Sequence, residues 1–139
     1  MSEWANLRSE IERAWEQRTK SDFSDDDRAR DAVAEVIDAL DRGVLRIAEP
    51  SPGGGPTGWT VNAWAKQALM LSYLLDDNEV MGRPDHPGMG PWWDKVPSKF
   101  AGWTAERFEA SGFRAVPGSV VRRGAFVAPG AILMPSFVN

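Results

Sequence analysis

The chain has 139 residues, 42% of them hydrophobic and 26% charged, a balance that suits a soluble globular domain and excludes disorder as the whole story. Sixteen Lys and Arg against twenty Asp and Glu give a net charge of −4 with no strongly basic stretch, so nucleic acid is not an expected partner. Zero cysteines exclude disulfides, thiolate metal sites and a Cys nucleophile, and a single histidine argues against a His-based metal site or a catalytic triad.

Trp4, Leu7, Ile11 and Trp15 recur at spacings of three and four, which predicts an amphipathic helix from about Ser2 to Arg18. The charged opening segment lacks the apolar core and cleavage site of a signal peptide, and the expectation is a cytoplasmic protein. Ser24 followed by Asp25, Asp26 and Asp27 reads as a serine N-cap with carboxylates in the first turn, not as a Ca²⁺ loop. Ala29, Ala32, Val33, Val36, Ile37 and Leu40 form the stripe of a second helix, and Gly43 sits where a left-handed C′ residue is wanted, so this helix ends near Arg42.

The β-prone run 44–48 and the β-prone Trp59-Thr60-Val61 flank a Pro/Gly-rich stretch, which predicts a hairpin with a long loop. Gly53, Gly54 and Gly55 in that loop are not followed by Gly-Lys-Ser/Thr and a helix, so they do not read as a phosphate cradle. Trp64, Ala68, Leu71 and Leu75, widened by Ala65, Leu69, Met70 and Leu74, predict a third helix, apolar on most sides and therefore central and buried. The apolar run 68–75 is far short of the roughly 20 residues that cross a bilayer. Asp76, Asp77 and Asn78 end that helix, and Glu79-Val80-Met81 reads as a short strand. The stretch 82–91 holds six Gly or Pro in ten and carries His86, which with no nucleophile motif beside it reads as a solvated loop residue. Thr104 caps a short helix through Phe108 that stops at Gly112. Seven tryptophans argue for a well-packed core or an aromatic interface.

A period of six then takes over. Val121, Val127 and Leu133 lie six apart, Ala125, Ala131 and Phe137 follow each by four, and Ala115 and Ser119 hold the corresponding places one hexad earlier. An aliphatic first residue and a mostly small fifth residue are the signature of a parallel β-helix, in which first residues fill a narrow prism and fifth residues lie inside near its corners. The second position carries Arg122, Ala128 and Met134, where glycine is commonest, and Phe137 is large for a fifth position. Four hexads make about one and a third coils, whereas a repeat array needs roughly three or more stacked units. The expectation is an array that is truncated or completed by chain not given, with open strand edges.

Several strings resemble tetrahydrodipicolinate N-succinyltransferases of bacterial lysine biosynthesis through the diaminopimelate route. They include Asp41-Arg42-Gly43-Val44-Leu45-Arg46-Ile47-Ala48-Glu49, Asp77-Asn78-Glu79-Val80-Met81, Asp94-Lys95-Val96-Pro97-Ser98-Lys99-Phe100, Ala105-Glu106-Arg107-Phe108 and Gly112-Phe113-Arg114-Ala115-Val116-Pro117. The closing runs Val121-Arg122-Arg123-Gly124-Ala125-Phe126-Val127 and Leu133-Met134-Pro135-Ser136-Phe137-Val138-Asn139 look like the entry into that family's left-handed β-helix. The resemblance implies an α+β chain with a mainly helical N-terminal domain, 1–114, leading into the start of a left-handed parallel β-helix, 115–139. It implies an acyltransferase that moves succinyl from succinyl-CoA to the amine of ring-opened tetrahydrodipicolinate as a homotrimer, with succinyl-CoA as co-substrate and no metal or bound cofactor. The loops at 50–58 and 82–91 look long for the family. The family's acidic reaction centre and CoA groove lie beyond the part this chain matches, so no catalytic residue is assigned here and the chain by itself is expected to be inactive.

The arginine of the family's Gly-Phe-Arg-x-Val-Pro string contacts substrate, and the matching position is Arg114. A guanidinium fork suits a dicarboxylate acceptor because it binds carboxylate bidentately and stays charged. Lys99, Arg122 and Arg123 are weaker candidates that would add positive field. The competing reading is a non-catalytic helical module that mediates association through its tryptophans.

Overall fold

The computed structural model describes residues 4–20, 23–50, 58–82 and 90–139. The interior of the Gly53–Gly55 loop and His86, both singled out in the sequence, lie outside the described residues. The chain divides into two compact units, one made of 1–40 and 44–77, the other of 41–43 and 78–139.

In the first unit, helix α1 (Ala5–Gln17) turns Ile11 and Ala14 inward, with Trp4, Leu7 and Trp15 packed partly buried beside them. A 3-10 turn, Phe23–Asp25, buries Phe23 and leads into α2, Asp27–Asp41. The cap of α2 is Asp26 and not Ser24: the Asp26 carboxylate accepts the Ala29 N–H at 3.0 Å. The 3-10 turn takes up Ser24 itself, so the helix starts later and Asp26, the second of the three aspartates, becomes the cap. Asp26 also accepts from Arg13 at 2.9 Å, and these donors hold its carboxyl below the ordinary aspartate range, the Ala29 N–H contributing most.

Gly43 adopts φ +72° beyond the end of α2, as its position in sequence predicts. The Val44 and Leu45 N–H groups both turn back to the Ala39 carbonyl, at 3.1 and 3.2 Å. That closure corrects the expected first strand: 44 and 45 belong to the helix cap, and β1 begins only at Ala48 (Ala48–Pro50). It pairs antiparallel with β2 (Trp59–Val61), Glu49 opposite Thr60, so the expected hairpin forms with a shifted first arm. Helix α3 (Ala63–Leu75) buries Trp64, Ala65, Ala68, Leu71, Ser72 and Leu75 and packs against α1. It is not buried all round: Met70 and Leu74 are about half exposed, because the core of this unit lies against one face of α3 only.

In the second unit, β3 (Glu79–Met81) pairs antiparallel with β4 (Trp92–Asp94), placing Val80 opposite Trp93 on an exposed face and Glu79 opposite Asp94. Like charges directly opposite are unfavourable, and Arg122 offsets this pair by bonding Asp94 at 2.6 Å. Helix α4 (Ala105–Ser111) is capped by the Thr104 hydroxyl, which accepts the Arg107 N–H, and ends on left-handed Gly112. Phe100, Trp103, Phe108 and Phe113 form a cluster with ring centroids 5.0 to 6.0 Å apart in tilted and edge-on geometry.

Four two-residue strands follow: β5 (Arg114–Ala115), β6 (Val120–Val121), β7 (Ile132–Leu133) and β8 (Phe137–Val138). Strand β5 pairs in parallel with β7, and β6 with β8. The turns 116–119, 122–125 and 128–131 join the hexads, each closed by the N–H of its fourth residue on the carbonyl of its first, at 3.0, 3.2 and 3.3 Å. Their third residues, Gly118, Gly124 and Gly130, have φ of +91°, +98° and +83°, and Pro117 and Pro129 precede two of them, the pattern of a type II turn. Val121 and Val127 are buried and Leu133 is half-buried, as expected of first positions.

Phe137 departs from its expected inward place and is 62% exposed. Ala115 lies opposite Leu133, a spacing of 18 residues, but Val120 lies opposite Phe137, a spacing of 17. The corner at 134–136 has three residues where 116–119 has four. Phe137 therefore stands with Val120 on the outer face, and Val138 takes the inward place beside Val121.

Candidate functional site

Arg114 sits on β5, between the aromatic Phe113 and the inward-facing Ala115. Its backbone is fixed: the Arg114 N–H donates to the Ala131 carbonyl at 2.9 Å, and the Val116 N–H to the Leu133 carbonyl at 2.9 Å. The left-handed Gly112 ends α4 and sends the chain into the strand, and its carbonyl accepts the Gly130 N–H at 2.7 Å. Alternation along a strand does the rest. Phe113 joins the aromatic cluster, while Arg114 is exposed beside Ile132, its partner on β7. Among the described residues the Arg114 guanidinium makes no ion pair and no side-chain hydrogen bond, so a fixed backbone presents a fork free to take a carboxylate.

The weaker candidates are placed differently. Lys99 is 8% exposed, and its ammonium bonds Asp41 at 2.7 Å through the carboxylate and 3.1 Å through the carbonyl. Arg122 binds Asp94 at 2.6 Å, donates to the Asn139 side chain at 3.3 Å, and lies 5.5 Å from the Phe137 ring centre. The Lys95 N–H, which contributes most, and Arg122 together hold the Asp94 carboxyl below the ordinary range. Both cations are thus neutralised locally and lend little field to an incoming anion. Arg123 is exposed, with its N–H on the Pro97 carbonyl at 3.0 Å.

A cavity of about 500 Å³ in the first unit is lined by Gln17, Lys20, Phe23, Asp25 and Asp26. Its Asp26 is engaged as helix cap and as the partner of Arg13. Among the described residues, no group of three or more His, Asp or Glu is arranged to hold a metal ion, and no helix is long and apolar enough to cross a membrane. Arg107 lies over the Trp103 ring at 4.9 Å, a pairing the sequence shows only as an i, i+4 spacing that crosses a helix cap. The turn glycines, spaced six apart from Gly112 to Gly130, were the stronger mark of the hexads and were open to reading in the sequence.

Residues 6–75 match the family model described as tetrahydrodipicolinate N-succinyltransferase N-terminal. The chain is 52% identical over 135 residues to the 2,3,4,5-tetrahydropyridine-2,6-dicarboxylate N-succinyltransferase of Methylobacterium sp. (strain 4-46), covering 97% of this chain and 46% of the relative. It is 52% identical to that of Paramagnetospirillum magneticum (98% and 46%) and 49% identical to that of Caulobacter vibrioides (97% and 48%). The chain spans about half the length of these curated relatives. With its N-terminal family model matched over half its length and relatives of one name along nearly all of it, the chain belongs to the tetrahydrodipicolinate N-succinyltransferase family.

Proposed function

We propose that this chain is the N-terminal part of an enzyme that transfers succinyl from succinyl-CoA to the amine of ring-opened tetrahydrodipicolinate in the cytoplasm, and that Arg114 binds a carboxylate of the acceptor. The observation that carries the residue assignment is the exposed guanidinium of Arg114, without an ion pair among the described residues, on a strand whose register is fixed by its pairing with β7. The names of the relatives support the reaction, and the match of 6–75 supports the domain assignment.

The parallel pairs at 18- and 17-residue spacing support reading 115–139 as the first coil of a left-handed β-helix, with 1–114 before it as the N-terminal domain. In this reading the active enzyme is a homotrimer with sites between neighbouring solenoids, and the groups that activate the amine and hold CoA come from chain beyond the part described. Arg114 then acts by binding and orienting: a bidentate fork fixes one carboxylate of the acceptor and so limits where its amine can lie. The alternative, an association module, has the exposed Trp92 and Trp93 in its favour.

The test uses the full-length enzyme that carries this chain. Arg114→Ala is expected to lower kcat/KM for the acceptor by about ten- to a hundredfold, the equivalent of about 1.4–2.8 kcal/mol, with the KM for succinyl-CoA little changed. Arg114→Lys, which keeps the charge and loses the fork, should recover part of this. Unchanged acceptor kinetics with reduced stability would mark a structural arginine.

A further inference from the structure

We infer that residues 97–99 are an edge stopper for the hexad array, a one-bridge antiparallel strand that closes one side of β6 and is locked there by the buried Lys99–Asp41 pair. The inference rests on geometry alone and does not depend on the acceptor-site reading.

The run 121–123 has both sides occupied. On one side the Arg122 N–H donates to the Val138 carbonyl at 2.9 Å, continuing the parallel pairing of β6 with β8. On the other, Ser98 faces Arg122 in an antiparallel bridge. The Lys99 N–H donates to the Val121 carbonyl at 2.8 Å, and the Arg123 N–H to the Pro97 carbonyl at 3.0 Å. Without 97–99 these groups would form an unpaired strand edge, which is a template for another chain.

Three features suit 97–99 to stopping an array. It runs antiparallel to its neighbour, whereas the hexad strands pair in parallel, so it cannot be one more strand of the array. It is short: with Pro97 and Lys99 directed at 121–123, only Ser98 turns its backbone groups away, and one residue offers little for a further strand to pair with. The Ser98 hydroxyl is itself occupied, accepting the Phe100 N–H at 3.2 Å.

The third feature is the lock. The Lys99 side chain is 5% exposed and meets the Asp41 carboxylate at 2.7 Å. The other oxygen of that carboxylate accepts the Gly124 N–H at 2.9 Å, one residue past the end of the stopped edge. A single carboxylate thus grips the stopper through Lys99 and the hexad turn through Gly124. Removing either charge leaves the other buried without its partner, which is strongly unfavourable and is relieved when the stopper leaves the edge.

The experiment compares the parent chain with Asp41→Asn and Lys99→Met by amide hydrogen exchange and by sedimentation over a range of concentrations. Asp41→Asn is the gentler change, since its side-chain oxygen can still accept the Gly124 N–H. Protection at Ala14 and Val36 reports that the first unit is folded, and Asp41→Asn decides the matter if Lys99→Met does not fold. The expected result is a loss of protection of about tenfold or more at the Lys99 and Arg123 amides, with self-association tightened about tenfold over the parent. The parent carries the same β8 edge as the variants, so only the increment counts. Retained protection at both amides, or lost protection with unchanged self-association, overturns the inference.

Discussion

The ring of Phe126 lies over Gly43, so close that a Cβ built on the glycine would sit 2.7 Å from two ring carbons. Gly43 also has φ +72°, a conformation that costs an L-residue roughly 1–2 kcal/mol. Two separate reasons therefore call for glycine here, and substitution can tell them apart. Gly102 has nearly the same φ, +71°, with nothing within 4 Å of its Cβ position. Gly43→Ala is expected to cost about 1–3 kcal/mol more than Gly102→Ala in urea unfolding, the usual range for overpacking. Equal costs would show that the ring moves aside freely.

The core of the first unit should depend on one face of α3. Leu71 is fully buried, and Leu71→Ala is expected to cost about 2–5 kcal/mol. Leu74, at the margin of that face, is 50% exposed, and Leu74→Ala should stay within about 1 kcal/mol. Chemical denaturation of both variants checks the contrast. Similar costs would mean that the exposed face is covered in solution.

What was legible in the sequence was mostly local. Gly43, Thr104 and Gly112 are recognisable as caps from sequence because a cap is decided within about five residues. The run 44–48 misled because its first two N–H groups are claimed by Ala39, a competition that β-propensity does not register. Ser24 misled for a similar reason: Ser and Asp cap equally well, and the 3-10 turn at Phe23 decides which one stands at the start. The pairing of Lys99 and Arg122 is invisible to local sequence, since their partners lie 58 and 28 residues away. Arg114 is singled out only by its surrounding string, and the structure adds the register that fixes its backbone.

Acid should remove a defined part of the stability. Asp26 and Asp94 both have carboxyls held below the ordinary aspartate value of 3.8, by the Ala29 N–H with Arg13 and by the Lys95 N–H with Arg122. A carboxyl lowered on folding is bound by a proton first in the unfolded state, so its contribution is complete above about pH 5 and declines as pH falls below 3.8 towards its folded value. The parent is therefore expected to lose stability relative to Asp26→Asn as pH drops from 5 to about 2. Unfolding curves at several pH values measure this. A stability difference that stays constant over that range would mean the Asp26 carboxyl titrates alike in the folded and unfolded chain.

The one-residue shortening of the corner at 134–136 leads to the last expectation. A strict period of six places Phe137 inside, in register with Ser119 one coil earlier, where a phenyl ring would overfill a narrow prism. In the structure the shorter corner moves Phe137 onto the outer face opposite Val120, with Arg122 5.5 Å from its ring, and brings Val138 opposite the fully buried Val121. The two registers predict opposite costs. With Phe137 outside, Phe137→Ala removes an exposed ring and one cation–π contact, about 0.5–1 kcal/mol at a surface site. With Phe137 inside, it would leave a cavity costing about 3–5 kcal/mol. Val121→Ala, a deletion at a fully buried site, is expected to cost more than Phe137→Ala in the same denaturation experiment, despite removing fewer atoms. The reverse order would restore the strict period and place the phenyl ring inside.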